Sequence, residues 1–508
     1  MKTRFIILLL LTLSCISIFS QDDYEKWKLQ QTADLEEFRS EQDKAFVEFL
    51  EKQWKSFDAF KGIVMDETPK PQEIPEAKLL RPKEYPKTNI IEDLIIPVEK
   101  LETTIDKTEI PKDIIDEKMA DEKEKIEAEM PKEREKIAIS KKPVQNNIEI
   151  TFWGLPLEFS YKNQTKISIQ NPIDEKTIAD FWYHISNAEY RPLISQLKKY
   201  KSKLRLNDWG YCQLINEVGK KISNNSQRYT NLFVWFILVK SGFDAKVGYN
   251  PQDIHLLLPS ANVIYGNSYL KSEGKRYYII SFDKRIRKAF SIKTYDGKYP
   301  DANAIIDLNI LQSPNFANSY VERELKFHYD GIEYLIPIKY EKNTAEYFKN
   351  YPNTEMEIYF NAPLSSDAKN SLTTEFRNVL VGKSEAEAVN IILRFVQTAF
   401  EYKTDREQFG MEKSFFSDET IFYPFCDCED RSILFSFLVR NLVGLDVVGL
   451  DYPGHIATAV KFHSALEGDF VMYKNEKYII CDPTYINADL GMAIPQYKSI
   501  QPDIIALK

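Results

Sequence analysis

The apolar residues Leu35, Phe38, Phe46, Leu50, Trp54, Phe57 and Phe60 recur at spacings of mostly three and four within a charged background that lacks Gly and Pro. That period predicts one long amphipathic helix over residues 22–61, which either packs on its own domain or contacts a partner or a second copy. After Gly62 the pattern dissolves. Pro69, Pro71, Pro75, Pro82, Pro86, Pro97, Pro111 and Pro131 punctuate a Lys/Glu-rich stretch to about Pro143. Such a composition buries too little apolar surface to offset its ordering entropy, so residues 63–145 read as a largely disordered spacer, with one charged helix near 113–130.

Order resumes at Ile148, where Ile148-Glu149-Ile150-Thr151-Phe152-Trp153 alternates as a strand does. Helical spacing follows around 182–197 and 231–240. Alternation returns in Glu324-Leu325-Lys326-Phe327-His328-Tyr329 and Met356-Glu357-Ile358-Tyr359-Phe360, predicting a β-rich bridge over 291–364. A last unit, residues 365–508, opens with a helix at about 385–402. The fold class expected is α+β, in two units joined by the bridge.

Composition adds few constraints. A chain of 508 residues, 43% hydrophobic, is too long for one core and apolar enough for two or three. A formal net charge of -9 gives no broad basic surface, which argues against nucleic acid as a partner. Lys2 and Arg4 precede the apolar run Phe5 to Leu11, and Ser20-Gln21 closes it, as in a secretory signal peptide over residues 1–20. Thr12-Leu13-Ser14-Cys15 fits a lipoprotein signal poorly. No other stretch holds the ~18 to 20 apolar residues that span a bilayer, so a secreted or periplasmic protein is expected. Cys212, Cys426, Cys428 and Cys481 then lie where disulfides can form, and a Cys426–Cys481 bridge is one possibility.

The densest chemistry is Phe425-Cys426-Asp427-Cys428-Glu429-Asp430-Arg431-Ser432, running into the apolar helix Ile433 to Arg440. Asp427 and Asp430 have the spacing of an N-cap and its capping box, which places Cys428 in the first helical turn, where unpaired N–H groups and the dipole favour a thiolate. Glu429 and Asp430 oppose that charge, so a histidine partner is needed. Gly444 ends the helix. Val447 to Leu450 reads as a strand, His455-Ile456-Ala457-Thr458-Ala459-Val460 as a second one opening on the histidine, and a hairpin returns through Lys477 to Cys481 to Asp482-Pro483-Thr484.

Cysteine at a helix start, histidine at a strand start and Asp-Pro-Thr after the next strand resemble the transglutaminase-like superfamily, over roughly residues 385–497. The resemblance implies a papain-like core in which Cys428 is the nucleophile, His455 its base and then the acid for the leaving amine, and Asp482 the group that orients the imidazole. It also implies that the Cys428 N–H holds the oxyanion, with Gln397 or Tyr423 as a second donor. Cys426 stands where the family often has glycine, and His455 is not followed by the usual aromatic. A protein or peptide substrate follows, attacked at an amide bond through a thioester. That chemistry requires neither a metal nor a nucleotide cofactor. Competing readings are a buried structural cysteine, a zinc site from Cys426, Cys428, His455 and Cys481, and a turn-forming role for Asp482. His463 is the weaker histidine. A different class of function also stands, a binding protein that performs no reaction.

Ile237-Leu238-Val239-Lys240 to Val247-Gly248-Tyr249 and Tyr277 to Phe282 parallel the catalytic unit two hundred residues earlier, suggesting a degenerate copy over residues 146–290. In that register Arg228 falls on the nucleophile, His255 on the histidine and Phe282 on the aspartate, so only the histidine survives.

Overall fold

The computed structural model describes residues 2–65, 70–71, 73–79, 85, 91, 145–162, 167, 169, 172–282 and 291–507, with side chains from Tyr24 onward except Glu25. The charged helix expected near 113–130 lies outside these residues. Residues 1–94 and 145–508 belong to one compact unit. It is mixed α+β with predominantly antiparallel pairing.

Helix α1 (Lys2–Lys52) stops nine residues short of the expected end, and Trp54–Asp58 is strand β1. The reason is tertiary: Trp54 packs on Tyr249 and Tyr295 at ring distances of 5.0 and 5.3 Å. That aromatic site outweighs continuation of the helix. Phe46 and Leu50 are buried, whereas Tyr24, Trp27, Leu35 and Phe38 are exposed, so only the last turns of α1 pack on the domain. Among the described residues, no helix is long and apolar enough to cross a membrane.

Strands β2 (Gln145–Phe152) and β3 (Leu155–Lys162) form a hairpin. Helices α2 (Glu175–Ser186), α3 (Arg191–Lys203), α4 (Asp208–Ser223) and α5 (Gln227–Lys240) follow. Asp174 accepts from the Thr177 N–H at 2.8 Å and Asn207 from the Gly210 N–H at 3.1 Å, capping α2 and α4. Strands β4 (Lys246–Tyr249), β5 (Ile254–Pro259), β6 (Tyr269–Ser272), β7 (Lys275–Ile280) and β8 (Ser291–Tyr295) join β1 in a sheet of order β1-β8-β4-β5-β7-β6.

The expected bridge contains the ten-residue strands β9 (Tyr320–Tyr329) and β10 (Ile332–Glu341), joined by a tight turn in which Asp330 and Gly331 both have positive φ. Helix α6 (Lys342–Lys349) follows, and residues 356–360 form part of helix α7 (Met356–Asn361), not a strand. Ile358, Tyr359 and Phe360 are all buried, so this segment is packed on several sides, and five alternating residues cannot encode that.

Helix α8 (Ser366–Leu380) leads to α9 (Glu385–Thr398), which begins at a Ser384–Glu387 capping box. Strand β11 (Glu401–Tyr402), helices α10 (Asp405–Phe409) and α11 (Ser417–Phe422), strand β12 (Phe425–Cys426) and helix α12 (Cys428–Leu438) come next. Strands β13 (Asp446–Tyr452), β14 (His455–Lys461), β15 (Phe470–Tyr473), β16 (Glu476–Cys481) and β17 (Asp503–Ile505) build a second sheet of order β15-β16-β14-β13-β17.

The two sheets repeat one plan: after a core helix, β4 to β8 take the same sheet order as β13 to β17. The residue register differs from the one expected. Tyr278 and Ile280 share a core cluster with α5, whereas Ile479 and Cys481 share one with α12, a one-residue offset between β7 and β16. Leu256 pairs with Ile280 and Thr458 with Cys481, which carries the offset to β5 and β14. Asp253 therefore stands in place of His455 and Ser281 in place of Asp482, with Gln227 at the head of α5 as Cys428 is at the head of α12. The survival of the histidine is thereby corrected: His255 falls two places further along its strand, and none of the three side chains is repeated.

One apolar cluster runs from Phe46 through Trp182, Trp235 and Phe348 to Cys428, Ile433, Ile456 and Ile505. The head of α12 and the start of β14 thus rest on the same core as the first sheet.

Candidate active site

Parallel pairing of β11 with β12 delivers the chain to α12, whose first residue is Cys428. Asp427 and Asp430 form the expected capping box, the Asp430 Oδ2 accepting the Asp427 N–H at 3.2 Å while its Oδ1 accepts the Phe415 N–H at 2.8 Å. From the next turn Ser432 Oγ donates to the Ile456 carbonyl at 3.0 Å, clamping α12 to the start of β14. The Ile456 N–H faces the Cys428 sulfur, which brings His455 to the head of α12.

His455 Nε2 lies 2.8 Å from Asp482 Oδ2, and both residues are buried. Asp482 Oδ1 accepts the N–H groups of Thr484 and Tyr485 at 2.9 and 3.2 Å. The aspartate therefore forms the Asp-Pro turn with one oxygen and holds the histidine with the other. Tyr497 stacks on the imidazole at 5.0 Å and 14°. With Nε2 taken, His455 Nδ1 has no hydrogen-bond partner. That is the nitrogen free to receive a thiol proton.

The resting thiol is not activated. Cys428 has no exposed surface, and its sulfur donates to Glu429 Oε2 at 3.1 Å. Burial, reinforced by Glu429, pushes its pKa well above the ordinary thiol value, although Lys70 pulls the other way. Burial pushes Glu429 upward, but the Lys70 ammonium 2.9 Å away, together with hydrogen bonds from Asp427 and Lys70, holds it below the usual carboxylate range. Burial and the Glu429 charge push Asp427 and Asp430 upward, Asp430 to about 8.

Of the expected oxyanion donors, Gln397 spends both N–H groups on the carbonyls of Asp482 and Ala488, at 3.1 and 3.0 Å. It braces the aspartate loop. The Tyr423 ring packs on Phe415 and Phe409. Tyr402, not singled out in the sequence, also lies near the site, its acidity depressed by burial and by the charges of Cys428, Asp427 and Glu429. Its hydroxyl donates to the Pro71 carbonyl at 3.1 Å. The four cysteines at 212, 426, 428 and 481 are all free thiols, and the possible Cys426–Cys481 bridge is not formed. His463 is an exposed partner of Glu385, at 2.7 Å.

Among the described residues, two sets could gather round a metal ion, Asp427, Cys428 and Glu429, and Asp405, Glu412 and Glu429, each with ligand atoms within 4.8 Å of one another. The zinc set expected as an alternative, with His455 and Cys481, does not converge.

The start of the spacer is ordered against this site. Pro75 accepts the Ile486 N–H at 3.0 Å, and Ala77 donates to the Ile486 carbonyl at 2.8 Å. Tyr85 accepts from Asn390 at 2.9 Å, and the Ile91 N–H donates to Lys383 O at 3.0 Å. Residues 70–71 and 73–79 thus form a strap, a correction to the disordered reading of this part: backbone partners on the receiving surface offset the ordering entropy. A cavity of about 100 Å³ at His455 is lined by Met65, Lys70, Tyr265, Met356, Asp451 and Tyr452.

Buried acids give the fold a pH signature. Burial pushes Asp418, which accepts the Ser365 N–H at 3.1 Å, up to about 7. A carboxyl whose folded pKa is raised holds its proton longer than the unfolded chain does, so stability falls as pH rises from about 4 toward 7, at ~1.4 kcal/mol per pH unit per group. Melting temperature is expected to decline over this range, and Asp418→Asn to flatten the decline. A decline of unchanged slope in the variant would show that Asp418 does not carry it.

No protein-family model, curated protein or solved structure matches the chain.

Proposed function

We propose that the protein is an exported thiol hydrolase or acyltransferase of the transglutaminase-like type, acting on amide bonds of peptides or proteins. The observation that carries this reading is the buried His455–Asp482 pair with Nδ1 unpartnered at the head of α12. Nδ1 takes the Cys428 proton and the thiolate adds to the amide carbonyl. The backbone N–H of Cys428 and the Tyr402 hydroxyl hold the oxyanion. As the C–N bond breaks, the imidazolium protonates the leaving amine. Water then adds to the thioester, the C–S bond breaks, and the thiol is restored. Asp482 keeps the imidazole in one tautomer throughout. The first half of the chain has Gln227 where the nucleophile would stand and, through Met65 and Tyr265, serves as a wall of the cleft.

Mass spectrometry of the full chain and of Lys70→Ala after incubation with a pool of synthetic peptides tests this. A hydroxylamine-labile acyl adduct on Cys428, absent from Cys428→Ala, is expected. The complete burial of Cys428 among carboxyls favours the second reading, a binding module without turnover. It prevails if no peptide acylates either form.

A further inference from the structure

Lys70 is the residue of the strap that enters the site. Its ammonium pairs with Glu429 Oε2 at 2.9 Å and also feels Cys428 and Asp427. The surrounding buried groups are unequal in sign. Asp427, Glu429, Asp430 and Asp405 are acidic. Of the nearby cations, Lys413 pairs with Glu419 and Arg431 donates to the Phe400 carbonyl. Oε1 of Glu429 is buried without a partner, so Glu429 retains accepting capacity beyond the contact its Oε2 makes with Lys70, while burial and the Glu429 charge hold Asp427 beside it well above the usual carboxylate range. Beside Lys70, the Pro71 carbonyl takes the Tyr402 hydroxyl.

We infer that Glu429, with Asp427 beside it, forms a cation seat that recognises the primary ammonium of a lysyl side chain, and that in the resting chain Lys70 fills it as a built-in pseudosubstrate. The seat holds its occupant as the ammonium, with no lone pair to attack a carbonyl, so it recognises a side chain and does not supply an acceptor amine. Lys70-Pro71 then sits as a substrate would, its ammonium on the Glu429 carboxylate and its carbonyl on Tyr402. Release of the strap opens the cleft to peptides carrying lysine beside the amide to be broken. The substrate assignment rests on the thiol-hydrolase reading; the seat itself does not.

Lys70→Ala in the full chain tests the seat by chemical rescue. The variant is expected to melt at a lower temperature, with n-butylammonium chloride restoring at least half of the loss. Butanol, and tetramethylammonium chloride at equal ionic strength, should restore little. Equal restoration by all three, or restoration by calcium chloride alone, would overturn the ammonium seat, the latter in favour of a metal site. Should Lys70→Ala not fold, limiting acetylation of the unmodified chain decides: Lys70 should react far more slowly than surface lysines and become reactive in Glu429→Gln. Ready acetylation of Lys70 before that change overturns the proposal.

The substrate assignment is read on Cys428 alkylation in Lys70→Ala. N-acetyl-lysine methylamide at several times its dissociation constant should slow labelling roughly fivefold, and its norleucine counterpart less than about twofold. Equal protection by the two removes the lysine preference while leaving the hydrolase reading intact. A thiol inert at every pH, with ammonium rescue preserved, removes the hydrolase reading and the substrate assignment together and leaves the seat.

Discussion

His455→Ala is expected to reduce turnover of a susceptible peptide by about a thousandfold or more, within the range that a positioned general base contributes. The reason lies in the surroundings of the thiol. Burial and Glu429 hold the Cys428 proton in place, and Glu429, kept ionised by Lys70, is too weak a base to remove it. His455 Nδ1 is the acceptor left open. The pH profile separates this role from a structural one. Without the imidazole, residual turnover should climb with pH as hydroxide takes the proton, up to the raised thiol pKa. His463→Ala, removing an exposed ring paired with Glu385, should leave turnover unchanged. A variant at position 455 that keeps full turnover at neutral pH would end the triad reading.

Trp182→Ala is expected to cost ~3 to 5 kcal/mol, the usual penalty for emptying a large aromatic site in a core that cannot collapse around it. Trp182 is fully buried, with Phe46, Trp235 and Phe236 rings at 4.6, 4.8 and 4.8 Å. Its Nε1–H donates to Asp43 at 3.2 Å, and the Asp43 carboxylate also holds Lys240. The apolar cluster is continuous from this region to Cys428 and Ile456. Loss of the tryptophan should therefore lower the urea midpoint reported by Cys428 accessibility as well as that reported by far-UV circular dichroism. Two separated midpoints, with Cys428 unaffected, would mean that the halves melt independently.

The order of elements around Cys428, His455 and Asp482 was legible because each sits at a boundary that local chemistry marks. Aspartates flank the head of α12, Pro453-Gly454 turns the chain before His455, and Pro483 stops the strand before Asp482. What was hidden is what tertiary packing decides. The spacer sequence around Lys70 has no periodicity, and its order comes from Ile486, Glu429 and Tyr402, hundreds of residues away. Tyr402 gave no signal of its own, since its place beside the site depends on a two-residue parallel bridge to β12. The repeat was visible in the apolar pattern, but the pattern of two adjacent strands cannot fix their register when both faces are buried. That is why His255 was matched to His455.

The strap reaches its seat on the same chain as the thiol it covers. Its Lys70 therefore competes at an effective concentration fixed by tether length, of millimolar order for a short flexible link, and not by the amount of protein present. Dilution cannot empty the seat, and a free lysyl peptide must exceed that local concentration to displace it. A cut on the C-terminal side of the strap, between it and the unit that carries Cys428, turns the contest into one between separate molecules. Latency of this kind is set once, at folding, and is lifted by a cut.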